Sequence, residues 1–308
     1  MTALDLKVYR FQIQLREPLK LKRQTHTFRQ GVLLERDGRW AEASPLPGFS
    51  RDSIEDVIQA LRGEQAITPA LQFALDSLEL PKAERSHVPF NGLLIGTPDQ
   101  VVLDASQCTA SNCPAVKIKV GRTGIIDEIE MIKRIREQMP ARIRLRLDAN
   151  QAWTFNEAVD FATATADLSL DYVEEPLRDS SRLEELHSET GIAYALDESL
   201  LEDIDLTEYP NASALICKPT LLGGRERLDR LSSLGKPMVF SASFESGVGI
   251  CRIVQLASTY APETAAGLDT LDWLSDDLLF ESPIKKDGRF IISGEPRVDT
   301  SSLERVLL

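Results

Sequence analysis

Apolar and polar side chains alternate over residues 4–15 (LDLKVYRFQIQL), with β-branched and aromatic residues among them, which predicts a strand. The polar stretch 23–30 (RQTHTFRQ) then reads as a loop. GVLLERDGRWAEA carries Asp37-Gly38 between two short apolar runs, the dipeptide that suits a tight hairpin turn. SPLPGFS is turn punctuation. Residues 51–61 and 69–78 place apolar side chains three and four apart and predict helices. Strands followed by helices make an α+β unit that ends near residue 87.

From Val88 the pattern changes, and short apolar strands alternate with helical stretches. The predicted strands are VPFNGLLIG (88–96), AVKIKVG (115–121), RIRLRLDAN (142–150), DYVEEPL (171–177), IAYALDESL (192–200), SALICKPT (213–220), KPMVFSASFES (236–246) and AAGLDT (265–270). DEIEMIKRIREQM and RERLDRLSSLG are among the helices between them. Their spacing of roughly 20–30 residues is that of one βα unit. Eight such strands in series predict a (β/α) barrel, with an open doubly wound sheet as the alternative. Neither G-x-G-x-x-G nor G-x-x-x-x-G-K-[ST] occurs, so a nucleotide-binding fold has no support.

The 308-residue chain is long enough for roughly two domains, and its 43% hydrophobic and 27% charged residues are those of a globular protein. A net charge of −13 disfavours nucleic acid and anionic membrane surfaces as partners. A small anionic substrate would have to meet local positive charge inside a site. No run approaches about 18 apolar residues, and the charged N-terminal stretch does not read as a signal peptide. Cys108, Cys113, Cys217 and Cys251 follow no C-x-x-C spacing and read as reduced thiols of a cytoplasmic protein. His26, His87 and His187 lie too far apart in sequence to predict a histidine metal site.

The charged residues at the strand ends change the picture. In AVKIKVG, Lys117 and Lys119 leave the same face of a strand, with Val116, Ile118 and Val120 on the other. Mutual repulsion and desolvation would lower an amine's pKa and free it as a base; an edge strand with two solvated lysines is the plainer reading. Asp148, Glu174 and Asp197 follow at intervals of 26 and 23 residues, one βα unit each. Three carboxylates at one rim repel unless a cation joins them, and hard oxygen donors suit Mg²⁺. Taken singly, each acid would serve as a helix N-cap. Glu174 and Glu175 are adjacent and cannot both face one ion, and Asn150 and Glu198 read as supporting or capping groups. Lys218 comes 21 residues after Asp197 and would enter the rim opposite Lys119. Two amines around a metal suit removal of a proton next to a carboxylate, with the metal taking up the enediolate charge.

With KIK, LDAN, EEP, DES and CKP in this order, the chain resembles the enolase superfamily, muconate-lactonizing subgroup. ASPLPGFS, RLDANQAW, ETGIAYALDESL, KPTLLGG, FSASFES and GLDTLDWL make it similar, over most of its length, to the o-succinylbenzoate synthase family. That resemblance implies a (β/α)7β modified TIM barrel with an N-terminal α+β capping domain. Residues 1–87 would form the cap, with a lid loop near 23–30, and 88–285 the barrel. Residues 286–308 would pack back on the cap. It also implies a Mg²⁺-dependent hydro-lyase, with Mn²⁺ as the substitute ion. Its reaction would be syn dehydration of 2-succinyl-6-hydroxy-2,4-cyclohexadiene-1-carboxylate to o-succinylbenzoate, in menaquinone or phylloquinone biosynthesis. Lys119 would be the base, and Lys117 would hold down its pKa and touch the carboxylate. Lys218 would lie over the opposite ring face, and Asp148, Glu174 and Asp197 would bind the metal. Ser241, Ser243 and the backbone of Gly267 match positions that meet the succinyl carboxylate, though the serines equally read as turn formers. Arg146, on the same face as Asp148, would either reach the succinyl tail or neutralise the acids. The sequence is compatible with a monomer and leaves the oligomeric state open.

A second reading within the same superfamily is an N-acylamino acid racemase or dipeptide epimerase, which would use Lys119 and Lys218 from opposite faces. Dipeptide epimerases carry Asp-x-Asp at the end of the last barrel strand, where this chain has Gly267-Leu268-Asp269. Muconate cycloisomerase is a third. A non-catalytic barrel that binds a small acid would be expected to have lost a ligand or a lysine, and none is lost.

Overall fold

A computed structural model describes residues 6–21, 24–202 and 204–308. The chain opens with a four-stranded antiparallel sheet built on β1 (Lys7–Leu21), β2 (Gln24–Arg36) and β3 (Arg39–Ala43). The β2–β3 turn is the predicted Asp37-Gly38, both at positive φ (53° and 75°) as a type I′ turn requires. Glu35 accepts the Gly38 N–H at 2.9 Å. The expected loop at 23–30 is strand from Gln24 onward, and Arg23 lies outside the described residues. Its residues pair with β1, Arg29 with Ile13 and His26 with Leu19, across an irregularity that contains Pro18. On an outer ribbon, polarity does not oppose strand pairing.

Helices α1 (Ile54–Leu61) and α2 (Pro69–Leu78) follow. Ser53 and Asp56 cap α1 reciprocally, and Thr68 caps α2 with Pro69 at its first position. Both helices cover one face of the sheet, where Val8, Val32, Leu34, Val57, Leu71 and Leu78 form a compact core. Leu33, of opposite parity on β2, joins the barrel core instead. The sheet is thus buried on both sides.

The predicted strand 88–96 divides at Phe90. Its first part, β4 (Ser86–Pro89), pairs away from the barrel, and β5 (Asn91–Leu94) begins the barrel. Then come α3 (Pro98–Ala110), β6 (Ala115–Lys119), α4 (Ile125–Gln138), β7 (Arg144–Asp148), α5 (Phe155–Ala164), β8 (Leu170–Glu174), α6 (Leu183–Thr190), β9 (Tyr194–Leu196) and β10 (Ala214–Cys217). After these follow α7 (Pro219–Leu222), α8 (Arg225–Ser233), β11 (Met238–Phe240) and α9 (Gly247–Tyr260). Strands β5 to β11 form one seven-stranded parallel sheet in chain order. The predicted eighth strand is reduced to two parallel bridges, Ser241 to Gly267 and Phe90 to Ala266. Gly267 donates to the Phe240 carbonyl at 2.8 Å, and Asn91 donates to that of Ala266 at 2.9 Å. These bonds close the sheet into a (β/α)7β barrel, so the open doubly wound alternative does not apply.

The chain ends with β12 (Ile284–Lys286), β13 (Arg289–Ile292) and β14 (Glu304–Val306). β13 lies between β12 and β4, and β14 adds antiparallel to β1. Buried charges join the N-terminal sheet to the barrel. Glu42 accepts the Ser246 and Gly249 N–H groups at 3.0 Å each, at the start of α9. Arg29 donates to the carbonyls of Ser44, Pro45 and Phe244 at 2.8–3.1 Å. Arg252 of α9 pairs with Glu295 and donates to the Trp40 carbonyl at 2.8 Å.

Candidate active site

Parallel strands in register bring successive C-terminal ends to one rim. Lys119 stands opposite Asp148, and Asp148 opposite Glu174. Asp197 follows β9 directly, Lys218 follows β10, and Ser241 follows β11. Gly267 completes the circle through its bridge to Ser241. Val116, Ile118 and Val120 face outward into the core, which sends Lys117 and Lys119 inward.

The charged groups interlock. Lys117 Nζ lies 2.7 Å from both Asp148 Oδ2 and Glu174 Oε1. Lys119 Nζ lies 2.6 Å from Asp148 Oδ2 and donates to Asn150 Oδ1 at 2.8 Å. Lys218 pairs with Asp197. The three acids are buried to within 2% of full exclusion from solvent, so their charges are compensated by the lysines rather than by water. The plainer readings, solvated lysines and simple caps, do not describe these residues.

Burial disfavours the ammonium form of Lys117, but Asp148, Glu174 and Asp197 together outweigh it and raise its pKa. At Lys218 burial is likewise outweighed, chiefly by Asp197, and the pKa is raised. The expected lowering by mutual repulsion is therefore not found at these two lysines, because each sits closer to carboxylates than to another amine. Burial resists ionisation of Asp148, but Lys117, Lys119 and Lys218 hold its carboxyl far below the usual range. Burial, then the Asp148 charge, pushes the Glu174 carboxyl up.

Among the described residues, no three His, Cys, Asp or Glu groups converge as they would around an ion. The lysine ammonium groups stand between the acids instead. The donor chemistry nevertheless fits a hard cation: three carboxylates on adjacent strand ends, of which Glu174 Oε2 is buried with no hydrogen-bond partner. A buried acceptor without a donor is a place for positive charge.

Glu175, at positive φ (42°), turns the opposite way from Glu174. It accepts from the N–H groups of Asp197 and Ser199 at 2.8 Å each, from Ser199 Oγ at 2.9 Å and from Gln151 Nε2 at 3.1 Å. Adjacency showed that only one of the two glutamates could face an ion; the holding of Asp197 by the other was not legible, because it depends on that backbone turn. Asn150, also at positive φ (44°), links Lys119 to Glu198 Oε1, to which it donates at 2.9 Å. Burial, then the Asp197 charge, pushes the Glu198 carboxyl up to about 7.

Ser241 and Gly267 are in contact: a side-chain carbon on Gly267 would begin 2.7 Å from Ser241 Oγ and would have to displace that hydroxyl. Ser243 Oγ is buried without a partner. Arg146 does not reach the rim. It donates to Asp171 Oδ2 at 2.9 Å, to Asn91 Oδ1 at 3.3 Å and to the Ala265 carbonyl at 2.6 Å, all at the N-terminal ends of their strands. Sharing a strand face with Asp148 put Arg146 inside the barrel, but its side chain runs to the floor, where acceptors await it, and not to a ligand.

Residues 100–296 match the family model described as enolase C-terminal domain-like. The chain is 33% identical over 304 residues to an o-succinylbenzoate synthase of Enterobacter sp. (strain 638), covering 90% of this chain and 94% of that one. It is 32% identical over 331 residues to the enzyme of the same name from Citrobacter koseri, covering 98% and 99%. Among solved structures, the L-Ala-D/L-Glu epimerase of Bacillus subtilis superposes with a TM-score of 0.82 at 19% identity, over the full length of both chains. The o-succinylbenzoate synthase of Thermosynechococcus elongatus BP-1, complexed with Mg, superposes at 0.79 with 24% identity, covering 90% of this chain and 96% of that one. The two structures establish the barrel fold, and the curated relatives go further. The chain belongs to the o-succinylbenzoate synthase family, enzymes of the carbon–oxygen lyase class, within the enolase C-terminal domain-like proteins.

Proposed function

We propose that this chain is a cytoplasmic, Mg²⁺-dependent o-succinylbenzoate synthase of menaquinone or phylloquinone biosynthesis. It would convert 2-succinyl-6-hydroxy-2,4-cyclohexadiene-1-carboxylate to o-succinylbenzoate by syn loss of water. The observation that carries this reading is the interlocked rim, with Lys119 on one side of Asp148 and Lys218 beside Asp197. Asp148, Glu174 and Asp197 are the residues that would hold the ion. When bound, Mg²⁺ supplies Lewis-acid stabilisation of the charge that develops on the substrate carboxylate.

Lys119 takes the proton α to the ring carboxylate and returns it to the departing hydroxyl on the same face. The bond to hydrogen breaks first, and the electron pair left on the ring expels the C–O bond as water forms. Asn150 orients the Lys119 amine through its 2.8 Å hydrogen bond. Lys117 neutralises Asp148 and Glu174 and presents positive charge to the substrate carboxylate. Lys218 stands as a cation on the other face of the ring. Ser241, Ser243 and the Gly267 backbone would receive the succinyl carboxylate; the unpartnered Ser243 hydroxyl is a free donor for it. Aromatisation makes the elimination strongly downhill.

The epimerase reading shares both lysines, and epimerases are among the structural neighbours. Against it, the rim carries Gly267 where an acid would be needed, and Asp269 is engaged by Lys285 and the Leu93 N–H. The deciding experiment offers the purified protein the cyclohexadiene substrate and a panel of N-acyl amino acids and dipeptides. A kcat/KM for dehydration at least 100-fold above every epimerisation is expected; the reverse order would make it a racemase.

A further inference from the structure

Two of the four free cysteines are neighbours. Cys108 lies in the last turn of α3 and Cys113 two residues before β6. Cys113 N–H donates to the Cys108 carbonyl at 3.2 Å, which folds the intervening loop back on the helix end. A side-chain carbon on Gly92 would begin 2.4 Å from Cys108 Sγ and 3.8 Å from Cys113 Sγ, so both sulfurs lie within 4 Å of one point beside Gly92.

The pair is not sealed in. Both cysteines line a cleft of about 500 Å³ at the barrel seam, with Asp269, Trp273 and Lys285 on its other wall. β5 and the closing segment are joined there only by the bridge at Phe90, and Leu93 N–H turns to the Asp269 carboxylate instead. Cys217 and Cys251 are buried in the core, and Cys251 borders a pocket of only about 20 Å³.

We propose that Cys108 and Cys113 form a peroxide-oxidisable dithiol, a modification site separate from the catalytic rim. The Cys113 thiolate attacks one oxygen of hydrogen peroxide, the O–O bond breaks, and hydroxide leaves, giving a sulfenic acid. The Cys108 sulfur then displaces the sulfenic oxygen as water, and the disulfide forms. Two thiols and one peroxide yield one disulfide and two waters. The neighbouring Cys108 thiol lowers the Cys113 pKa against burial and the Asp269 carboxylate, and Lys285 adds a smaller effect in the same direction as Cys108. The closed backbone turn suits the short span a disulfide needs. The bond would tie the end of α3 to the segment that leads directly into the strand of Lys117 and Lys119.

The test is peroxide treatment of the reduced, full-length chain followed by tryptic mapping without reductant. Residues 86–117 form one tryptic peptide containing both cysteines, bounded by Arg85 and Lys117. That peptide should lose two hydrogens and resist alkylation until reduced, while Cys217 and Cys251 alkylate fully on unfolding. Cys108→Ser and Cys113→Ser, each shown folded by circular dichroism, should lose this mass shift. Full alkylation of both cysteines after peroxide, or sulfinic acid without a disulfide, would overturn the proposal.

Discussion

Lys119 touches Asp148 and Asn150, yet carries the proton in the proposed reaction, so its removal separates chemistry from folding. Lys119→Ala should lower kcat by about 10²–10⁴, the usual contribution of a positioned acid–base group. Mg²⁺ binding, read by calorimetry, should persist, because the three carboxylates remain. Turnover at more than a tenth of the wild-type rate would reassign the base. Glu175 illustrates a different role at the same scale. It accepts three hydrogen bonds from Asp197 and Ser199 and one from Gln151, and none from a lysine of the rim. KIK, LDAN, EEP, DES and CKP were legible because charged residues at strand ends are unusual in a buried barrel. Glu175 was not, because the backbone turn that redirects it has no simple signature in sequence.

At the level of elements, the closing segment is the weakest part of the barrel. A single bridge joins it to each neighbour, Phe90 to Ala266 on the β5 side and Ser241 to Gly267 on the β11 side, and the second brings Gly267 close to Ser241. Gly267→Ala should cost about 1–3 kcal/mol by overpacking, measured by urea unfolding, and should raise KM more than it lowers kcat. An unchanged KM would remove Gly267 from the substrate contacts. Arg146 belongs to the opposite end. Arg146→Met leaves Asn91 Oδ1 and the Ala265 carbonyl without this donor and Asp171 with Arg144 at 3.9 Å, and should lower stability by about 1–3 kcal/mol. KM should change less than twofold; a tenfold rise would return Arg146 to the substrate site. The period-2 alternation of β1 and the Asp37-Gly38 turn were readable locally. The pairing of residues 24–30 was not, since a polar ribbon is stabilised by its partner strand rather than by its own composition.

Across the whole molecule, Glu42, Arg29 and Arg252 hold the N-terminal sheet to the barrel through hydrogen bonds to Ser246, Phe244 and Trp40. Glu42→Ala strips the start of α9 of its acceptor in a fully buried place. A loss of about 3 kcal/mol or more is expected, with unfolding that becomes less cooperative. Unfolding as sharp as wild type would mean that the sheet and barrel are held by apolar packing alone. Chelation probes the rim as a unit. EDTA should abolish dehydration and Mg²⁺ restore it, while far-ultraviolet circular dichroism stays unchanged, because the lysine ammonium groups compensate the acids when the cation is gone. Metal-independent turnover would remove Asp148, Glu174 and Asp197 from the ligand role.

By itself the sequence determined the alternation of strands and helices, the βα spacing that sends strand ends to one rim, and the identity of the charged residues that arrive there. These follow from side-chain parity and period, which act over a few residues. Only the tertiary structure decided that the eighth strand shrinks to two bridges, that Arg146 plugs the floor, and that Cys108 meets Cys113 beneath Gly92. Those outcomes depend on how far apart two backbones come to rest, and that distance is set by the packing of residues remote in the chain.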